Sequence, residues 1–109
     1  MGRWVNLNGF GSNNYEWKKV LHEFNNRCAY CGRKDIHLIP EHIIPQSVMA
    51  SEHPELVDNI GSIVCSCGTC NASKGKSDME TWYRKQKYFS PHRLQKIRKH
   101  QLIYSLEDL

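Results

Sequence analysis

Two short segments decide the fold of this chain: Cys28-Ala-Tyr-Cys31 and Cys67-Gly-Thr-Cys70. In each segment two thiols stand three residues apart, a spacing at which one tight turn directs two sulfur atoms at the same ion. Two such turns supply the four thiolates of a tetrahedral structural zinc site. The spacing therefore predicts a four-cysteine zinc site that joins two segments far apart in the chain.

Other uses of the cysteines fit this pattern less well. Disulfides belong to oxidising compartments, and nothing in the chain indicates one. A redox Cys-x-x-Cys pair normally occurs once, at the start of a helix after a strand, whereas this chain has two copies. The fifth cysteine, Cys65, is predicted to be a buried strand residue, because a closed structural zinc site has no place for a fifth ligand.

Length and composition indicate one small domain over residues 1–109. Hydrophobic residues make up 39% of the chain and the mean hydropathy is −0.64, so an apolar core alone would be thin and a metal or disulfides would have to support it. No apolar run approaches the roughly 18 residues of a membrane span, and Met1-Gly-Arg-Trp4 does not begin a signal peptide. We therefore expect a cytoplasmic protein that does not contact a membrane.

The N-terminal half is expected to combine helix and short extended pieces. Residues 1–12 are polar and predict a loose arm. A helix is predicted over residues 14–25, where apolar side chains recur at the spacing of one helix face. Residues 36–44 predict two extended pieces interrupted at Pro40, and residues 46–61 predict a polar loop with one helical turn.

The C-terminal half is expected to be helical after a short strand over residues 62–65. Ser77 and Glu80 have the spacing of a capping box and predict the start of one helix. Ser90-Pro91 predicts the start of the last helix, because proline is favoured at the first helical position. His100 is predicted to lie on the outer side of that helix.

Positive charge is concentrated in one third of the chain. Residues 74–100 contain nine Lys or Arg and two Asp or Glu, a net charge of +7, whereas the whole chain has a net charge of +4. Such a segment indicates a polyanion as partner. A solvated basic face without a partner is the alternative interpretation. We expect the basic helices to cover residues 77–106.

The segments beside the cysteine pairs carry a resemblance to a known family. Pro40-Glu-His-Ile-Ile-Pro45 lies between the pairs, and Asn71-Ala-Ser-Lys-Gly75 follows the second pair directly. With the cysteines, these motifs resemble the HNH endonucleases of the zinc-stapled type over residues 17–89. The resemblance implies an α+β fold with a ββα-metal (His-Me finger) core, in which a hairpin and a helix hold one divalent cation. The four-cysteine zinc site braces that core, and an N-terminal helix and C-terminal helices flank it.

The resemblance also implies roles for individual residues. His42 matches the general base, Glu41 the acidic metal ligand, and Asn71 the last position of the family signature. The central asparagine of the family falls here at Ser62, and the nearest asparagine is Asn59. Either Asn59 braces the motif from a longer loop, or Ser62 does so in a weaker form.

These residue types suit the hydrolysis of a phosphodiester. The reaction needs a base for water, a counter-charge for the developing oxyanion and support for the leaving oxygen. Imidazole is a competent base at physiological pH. A carboxylate and an amide oxygen, from Glu41 and Asn71, suit a hard cation such as Mg²⁺ or Mn²⁺. The hypothesis is that His42 activates the water while the metal supports the leaving 3′ oxygen.

Basic residues after the second cysteine pair are expected to contact the phosphates of double-stranded DNA. Lys74 and Lys76 end the predicted metal-site helix, near the scissile bond. The others lie on the following helices: Arg84, Lys85, Lys87, Arg93, Lys96, Arg98 and Lys99. Such contacts provide affinity without sequence choice, and this affinity falls steeply with salt.

Three functions are compatible with these observations. The first, which we expect, is a metal-dependent DNA endonuclease that nicks or cuts double strands, as a monomer or a weak homodimer. The second is a non-catalytic zinc-stapled DNA-binding module, which would have no need of Glu41 and His42 facing Asn71. The third is a thiol–disulfide protein, which would have reactive thiols and no tightly bound metal. Small stand-alone members of the family that the motifs resemble occur in phages, mobile elements and host-defence systems.

Overall fold

The computed structural model describes residues 15–56 and 59–107, and the side chains of residues 104–107 are excepted. The expected arm over residues 1–12 lies outside this range. The helices and strands are α1 (Tyr15–Glu23), β1 (Leu38–His42), α2 (Gln46–Glu52), β2 (Ile63–Cys67), α3 (Gly68–Lys74), α4 (Met79–Arg84) and α5 (Pro91–Glu107). Among the helices in the described parts of the chain, none is long and apolar enough to span a bilayer.

The sheet has two antiparallel strands, with Leu38 opposite Cys67 and His42 opposite Ile63. β1 continues through Pro40, which pairs with Cys65, whereas the sequence predicted a break at that proline. A two-stranded sheet has only edge strands, and an edge strand accommodates a proline whose nitrogen faces away from its neighbour. The strand is therefore one uninterrupted element that ends at the predicted site.

The core forms where α1, β2 and the C-terminal helices meet. All five residues of β2 are buried, and α1 packs against this strand. Apolar and aromatic side chains from α1, α4, α5 and the connecting segments complete the core: Trp17, Val20, Phe24, Tyr30, Ile43, Ile60, Trp82, Tyr83, Leu94 and Ile97. The α+β fold expected from the sequence is confirmed.

Two local predictions differ from the structure in the segments around the site. The region predicted as a polar loop contains α2, which begins directly after Pro45 and buries Met49 alone. One buried residue leaves no repeating apolar pattern, so periodicity could not indicate this helix. At α4 the N-cap is Asp78 and not Ser77: the Asp78 carboxylate accepts the backbone N–H of Thr81 at 3.0 Å.

His100 was predicted on the outer side of the last helix, and this prediction is wrong. The side chain has no exposed surface, and Nε2 lies 2.7 Å from the carbonyl oxygen of Ile60 and 2.8 Å from that of Ile63. Its Nδ1 lies 3.0 Å from the carboxylate of Glu23. His100 follows the buried Ile97 by three residues and therefore shares its helix face. The histidine thus anchors α5 to α1 and to the turn before β2.

Candidate functional site

The four cysteines of the two pairs meet in one cluster, whose Sγ atoms all lie within 4.8 Å of one another. The Sγ atoms of Cys31 and Cys67 are 3.8 Å apart. A tetrahedral zinc ion with Zn–S bonds of about 2.3 Å requires sulfur atoms separated by roughly 3.8 Å. The hydrogen bond from the Cys70 thiol lowers the pKa of Cys28, which favours a thiolate at this position. The cluster is therefore positioned for one metal ion, and its all-sulfur donor set suits zinc.

Backbone hydrogen bonds position the first cysteine pair. The N–H of Gly32 donates to the carbonyl of Cys28 at 2.9 Å, which closes a tight turn. Gly32 has a φ of +78°, and a Cβ at this position would lie 2.8 Å from Nη1 of Arg93, so only glycine fits without strain. The N–H of Ala29 donates to the carbonyl of Cys65 at 2.9 Å, which ties this turn to β2.

Cys65 lies outside the cluster, as a buried residue of β2. Its thiol donates to the carbonyl of Arg27 at 3.1 Å. Burial raises the pKa of Cys65 to about 12, so the side chain stays a neutral thiol at physiological pH. The prediction of a buried strand cysteine is confirmed.

A groove of about 580 Å³ lies beside the end of β1. The predicted residues Glu41, His42 and Asn71 all line it, so the structure brings the candidate base and both oxygen donors to one place. The complete lining consists of Pro40, Glu41, His42, Pro45, Gln46, Ser47, Asn71, Gly75 and Lys76. Residues between the two cysteine pairs and residues after the second pair therefore build one concave site.

Glu41 is a buried carboxylate held by two donors. Its side chain is 4% exposed; Oε1 accepts from Nζ of Lys74 at 2.8 Å, and Oε2 accepts from the hydroxyl of Tyr30 at 2.5 Å. Burial raises the pKa of Glu41, and the ammonium of Lys74 acts in the opposite direction. Burial and then the charge of Glu41 raise the pKa of Tyr30 well above its ordinary value, so its hydroxyl stays a donor.

Lys74 differs from the solvent-facing phosphate contact expected from the sequence. The side chain is 1% exposed, and besides Glu41 its ammonium donates to the carbonyl of His42 at 3.0 Å. Lys74 is the last residue of α3, and Gly75 ends the helix with a φ of +51°. The side chain thus connects the end of α3 to the end of β1 inside the protein.

His42 and Asn71 border the groove from different elements. His42 is the half-buried last residue of β1, and the N–H of the following Ile43 donates to the carbonyl of Ser62 at 3.0 Å. Successive strand residues direct their side chains to opposite faces, and Glu41 and His42 both line the groove at the end of β1. Asn71 is half-buried within α3, one residue after the last cysteine.

The two candidates for the central motif position both brace the loop before β2. Asn59 is 1% exposed, and its Oδ1 accepts the N–H of Gly61 at 2.8 Å, which caps the 3-10 turn Ile60–Ser62. The hydroxyl of Ser62 donates to the carbonyl of Leu56 at 2.8 Å. Neither residue is part of the groove lining in the described chain.

Arg93 is directed toward the first cysteine pair. Its Nε donates to the carbonyl of Tyr30 at 2.8 Å, and its Nη2 donates to the carbonyl of Tyr88 at 2.8 Å. The guanidinium therefore holds backbone groups inside the protein, although a DNA contact was expected for it.

The other predicted DNA-binding residues differ in how far they are engaged within the protein. Arg84 and Arg98 both contact the carboxylate of Glu80, at 2.8 and 2.9 Å. The ammonium of Lys96 lies 5.6 Å from the ring centroid of Phe24. The remaining predicted lysines are exposed: Lys76, Lys85, Lys87 and Lys99.

Three residues at this site were missed from the sequence: Tyr30, Gln46 and Ser47. The two polar residues line the groove because α2 begins immediately after Pro45, where a loop was predicted. The only local signal for Tyr30 was its place between two cysteines, and its partner Glu41 lies in another segment.

The fold and the site define a class of protein: a small α+β domain in which a four-cysteine cluster adjoins a groove with a histidine, a carboxylate and an amide. The chain is 35% identical over 88 residues to the Bacillus subtilis (strain 168) protein named "SPbeta prophage-derived putative HNH endonuclease YoqL". The match covers 76% of this chain and 38% of that relative's length. No family model matches the chain. The resemblance to the HNH endonucleases that the motifs indicate is confirmed by this relative.

Proposed function

We propose that this protein is a metal-dependent DNA endonuclease that hydrolyses phosphodiester bonds in double-stranded DNA. The observation that carries the proposal is the single groove bordered by His42, Glu41 and Asn71, a candidate base together with two oxygen donors. The similarity to a relative named as an endonuclease supports the same class of reaction.

His42 acts as the general base in this proposal. The oxygen of a water molecule forms the new bond to phosphorus, and the proton of that water passes to the imidazole. The bond between phosphorus and the 3′ oxygen breaks, and the leaving oxygen takes up a proton from solvent. The pairing of His42 with Ile63 fixes the backbone that carries the imidazole at the groove.

Glu41 and Asn71 would hold one Mg²⁺ or Mn²⁺ ion, because their oxygen atoms are the hard ligands that these cations prefer. One oxygen of Glu41 accepts a hydrogen bond from Lys74 and the other accepts one from Tyr30, and a carboxylate oxygen has a second lone pair. When bound, the cation supplies positive charge that stabilises the leaving 3′ oxygen.

The cysteine cluster is assigned to structural zinc and the exposed lysines to DNA. Zinc closes the fold through the two cysteine pairs and takes no part in the reaction. Lys76 lies at the groove and is the proposed contact for a phosphate near the scissile bond. Lys85, Lys87 and Lys99, with the surface arginines Arg84 and Arg98, would follow the DNA backbone further away.

A non-catalytic DNA-binding module is the second candidate function. The observation in its favour is that both oxygens of Glu41 already have donors inside the protein, as in a purely structural ion pair. Such a module would bind DNA through the same basic residues and would cut none.

Cleavage of supercoiled plasmid with Mg²⁺ or Mn²⁺ separates the two functions. We expect relaxed or linear product from the wild type and none from His42→Ala, while zinc content and DNA binding stay unchanged. His53→Ala is the matched control, because His53 is exposed and lies outside the groove lining, and this variant should cut like the wild type. Cutting by His42→Ala at the wild-type rate would exclude His42 as the base. DNA binding without cutting by the wild type would favour the non-catalytic module.

A further inference from the structure

Tyr30 is the residue through which the cysteine cluster contacts the groove. It lies between the two thiols of the first cysteine pair and is fully buried. Its hydroxyl donates to Oε2 of Glu41, across 11 residues of sequence. One side chain therefore spans the distance from the proposed zinc site to the proposed cation ligand.

The position of Tyr30 is fixed without help from Glu41. Its carbonyl accepts hydrogen bonds from the hydroxyl of Tyr83 at 2.5 Å and from Nε of Arg93 at 2.8 Å. Its ring packs edge-on against Trp82, with the ring centroids 5.0 Å apart, and against Tyr83 at 5.4 Å. A hydroxyl on a ring held from several sides sets the position of the carboxylate that accepts its hydrogen bond.

We propose that Tyr30 is a positioning residue that orients the Glu41 carboxylate for the divalent cation. The hydrogen bond of Tyr30 then connects the cysteine cluster rigidly to the groove. This inference rests on the proposed role of Glu41 as a cation ligand. Carboxylates that bind metals are generally oriented by hydrogen bonds from residues that do not touch the metal themselves. Lys74 also holds Glu41, but its own positive charge repels a cation, so Tyr30 gives the clearer test.

Tyr30→Phe and Tyr83→Phe form a matched pair for this test. Each removes one buried hydroxyl whose hydrogen bond involves Tyr30, but only the first removes a donor to Glu41. The zinc-loaded proteins would be compared by the electron paramagnetic resonance signal of unbound Mn²⁺, which reports binding without requiring cleavage. The Mn²⁺ concentration for half-maximal plasmid cleavage is the second readout.

We expect Tyr30→Phe to raise two quantities roughly tenfold: the Mn²⁺ concentration for half-maximal binding and the Mn²⁺ concentration for half-maximal cleavage. Tenfold is the lower end of the range for lost hydrogen bonds to metal ligands. Tyr83→Phe should change them less than about twofold, because Arg93 still holds the carbonyl of Tyr30 and the Tyr30 hydroxyl still donates to Glu41. Saturating Mn²⁺ should restore most of the cleavage rate of Tyr30→Phe, since His42 is intact. Equal shifts in both variants, or no shift in Tyr30→Phe, would overturn the inference.

Two further measurements keep the inference testable. Glu41→Gln is expected to lose Mn²⁺ binding, and wild-type binding by this variant would overturn the inference whether or not DNA is cut. A wild type that binds Mn²⁺ through Glu41 and cuts no DNA would refute the nuclease proposal alone.

If Tyr30→Phe fails to fold, tyrosine ¹³Cζ NMR of the wild type replaces this variant as the test. Saturation with Mg²⁺ should then shift the Tyr30 resonance and leave that of Tyr83 in place, and an unmoved Tyr30 resonance would overturn the inference.

Discussion

At the scale of single residues, the site depends on a buried pair of opposite charges. Glu41 and Lys74 are nearly inaccessible to solvent, and their contact joins β1 to the end of α3. Taking two charges out of water costs free energy that only their mutual attraction and further hydrogen bonds offset. Both groups have such further bonds, Glu41 from Tyr30 and Lys74 to the carbonyl of His42.

Removal of one partner should therefore be costly. Lys74→Met leaves a buried carboxylate without a counter-charge, and we expect it to lower the free energy of unfolding by about 3–5 kcal/mol. Arg84→Met is the control, because it removes an exposed partner of Glu80 and should cost far less than the loss of a buried partner. Urea unfolding of the zinc-loaded proteins measures both values. Similar losses in the two variants would mean that the buried pair contributes no more than a surface pair.

The sequence could not predict this role for Lys74. A lysine at the end of a metal-site helix has the typical position of a phosphate contact, and the motif contains no sign of its partner. Glu41 lies 33 residues earlier in the chain, so only the packing of α3 on β1 brings the two charges together.

At the scale of elements, the start of α4 is set by one capping residue. Asp78→Ala should lower the free energy of unfolding by about 1 kcal/mol, because two hydrogen bonds from Thr81 to the carboxylate are lost. Asp78→Asn should retain most of the stability, since asparagine caps helices comparably well. Thermal unfolding near neutral pH measures the three proteins.

Ser77→Ala is the control for this assignment, and we expect a change of less than about 0.5 kcal/mol. A larger loss of unfolding free energy in Ser77→Ala than in Asp78→Ala would support the capping box that the sequence predicted. That prediction was one residue off because neighbouring serine and aspartate are both good N-caps, and only the backbone conformation selects between them.

At the scale of the whole molecule, we expect the two cysteine pairs to determine whether the small core is stable. Removal of the metal with a chelator is expected to unfold the protein, because metal binding contributes directly to the free energy of folding in small domains. Cys67→Ser should have the same effect. Cys65→Ala is the matched control and should retain one zinc ion per chain, because its thiol lies outside the cluster. Zinc content after gel filtration and circular dichroism report the result, and a folded, zinc-loaded Cys67→Ser protein would contradict the assigned ligands.

The sequence by itself determined the cysteine cluster, the α+β class and three of the residues at the groove, Glu41, His42 and Asn71. Ligand chemistry and the spacing within a turn are local properties, so Cys28-Ala-Tyr-Cys31 and Cys67-Gly-Thr-Cys70 carry this information in four residues each. The order of the remaining motifs between and after the pairs placed His42, Glu41 and Asn71 in one site by resemblance.

Only the tertiary structure decided which groups those residues contact. It showed Tyr30 and Lys74 as the donors to Glu41, and it buried His100 against the carbonyl groups of Ile60 and Ile63. It also turned Arg93 inward, toward the first cysteine pair. The physical reason is the same in each case. A polar or charged side chain on a helix can face water or a partner, and the choice depends on which distant segment packs beside it.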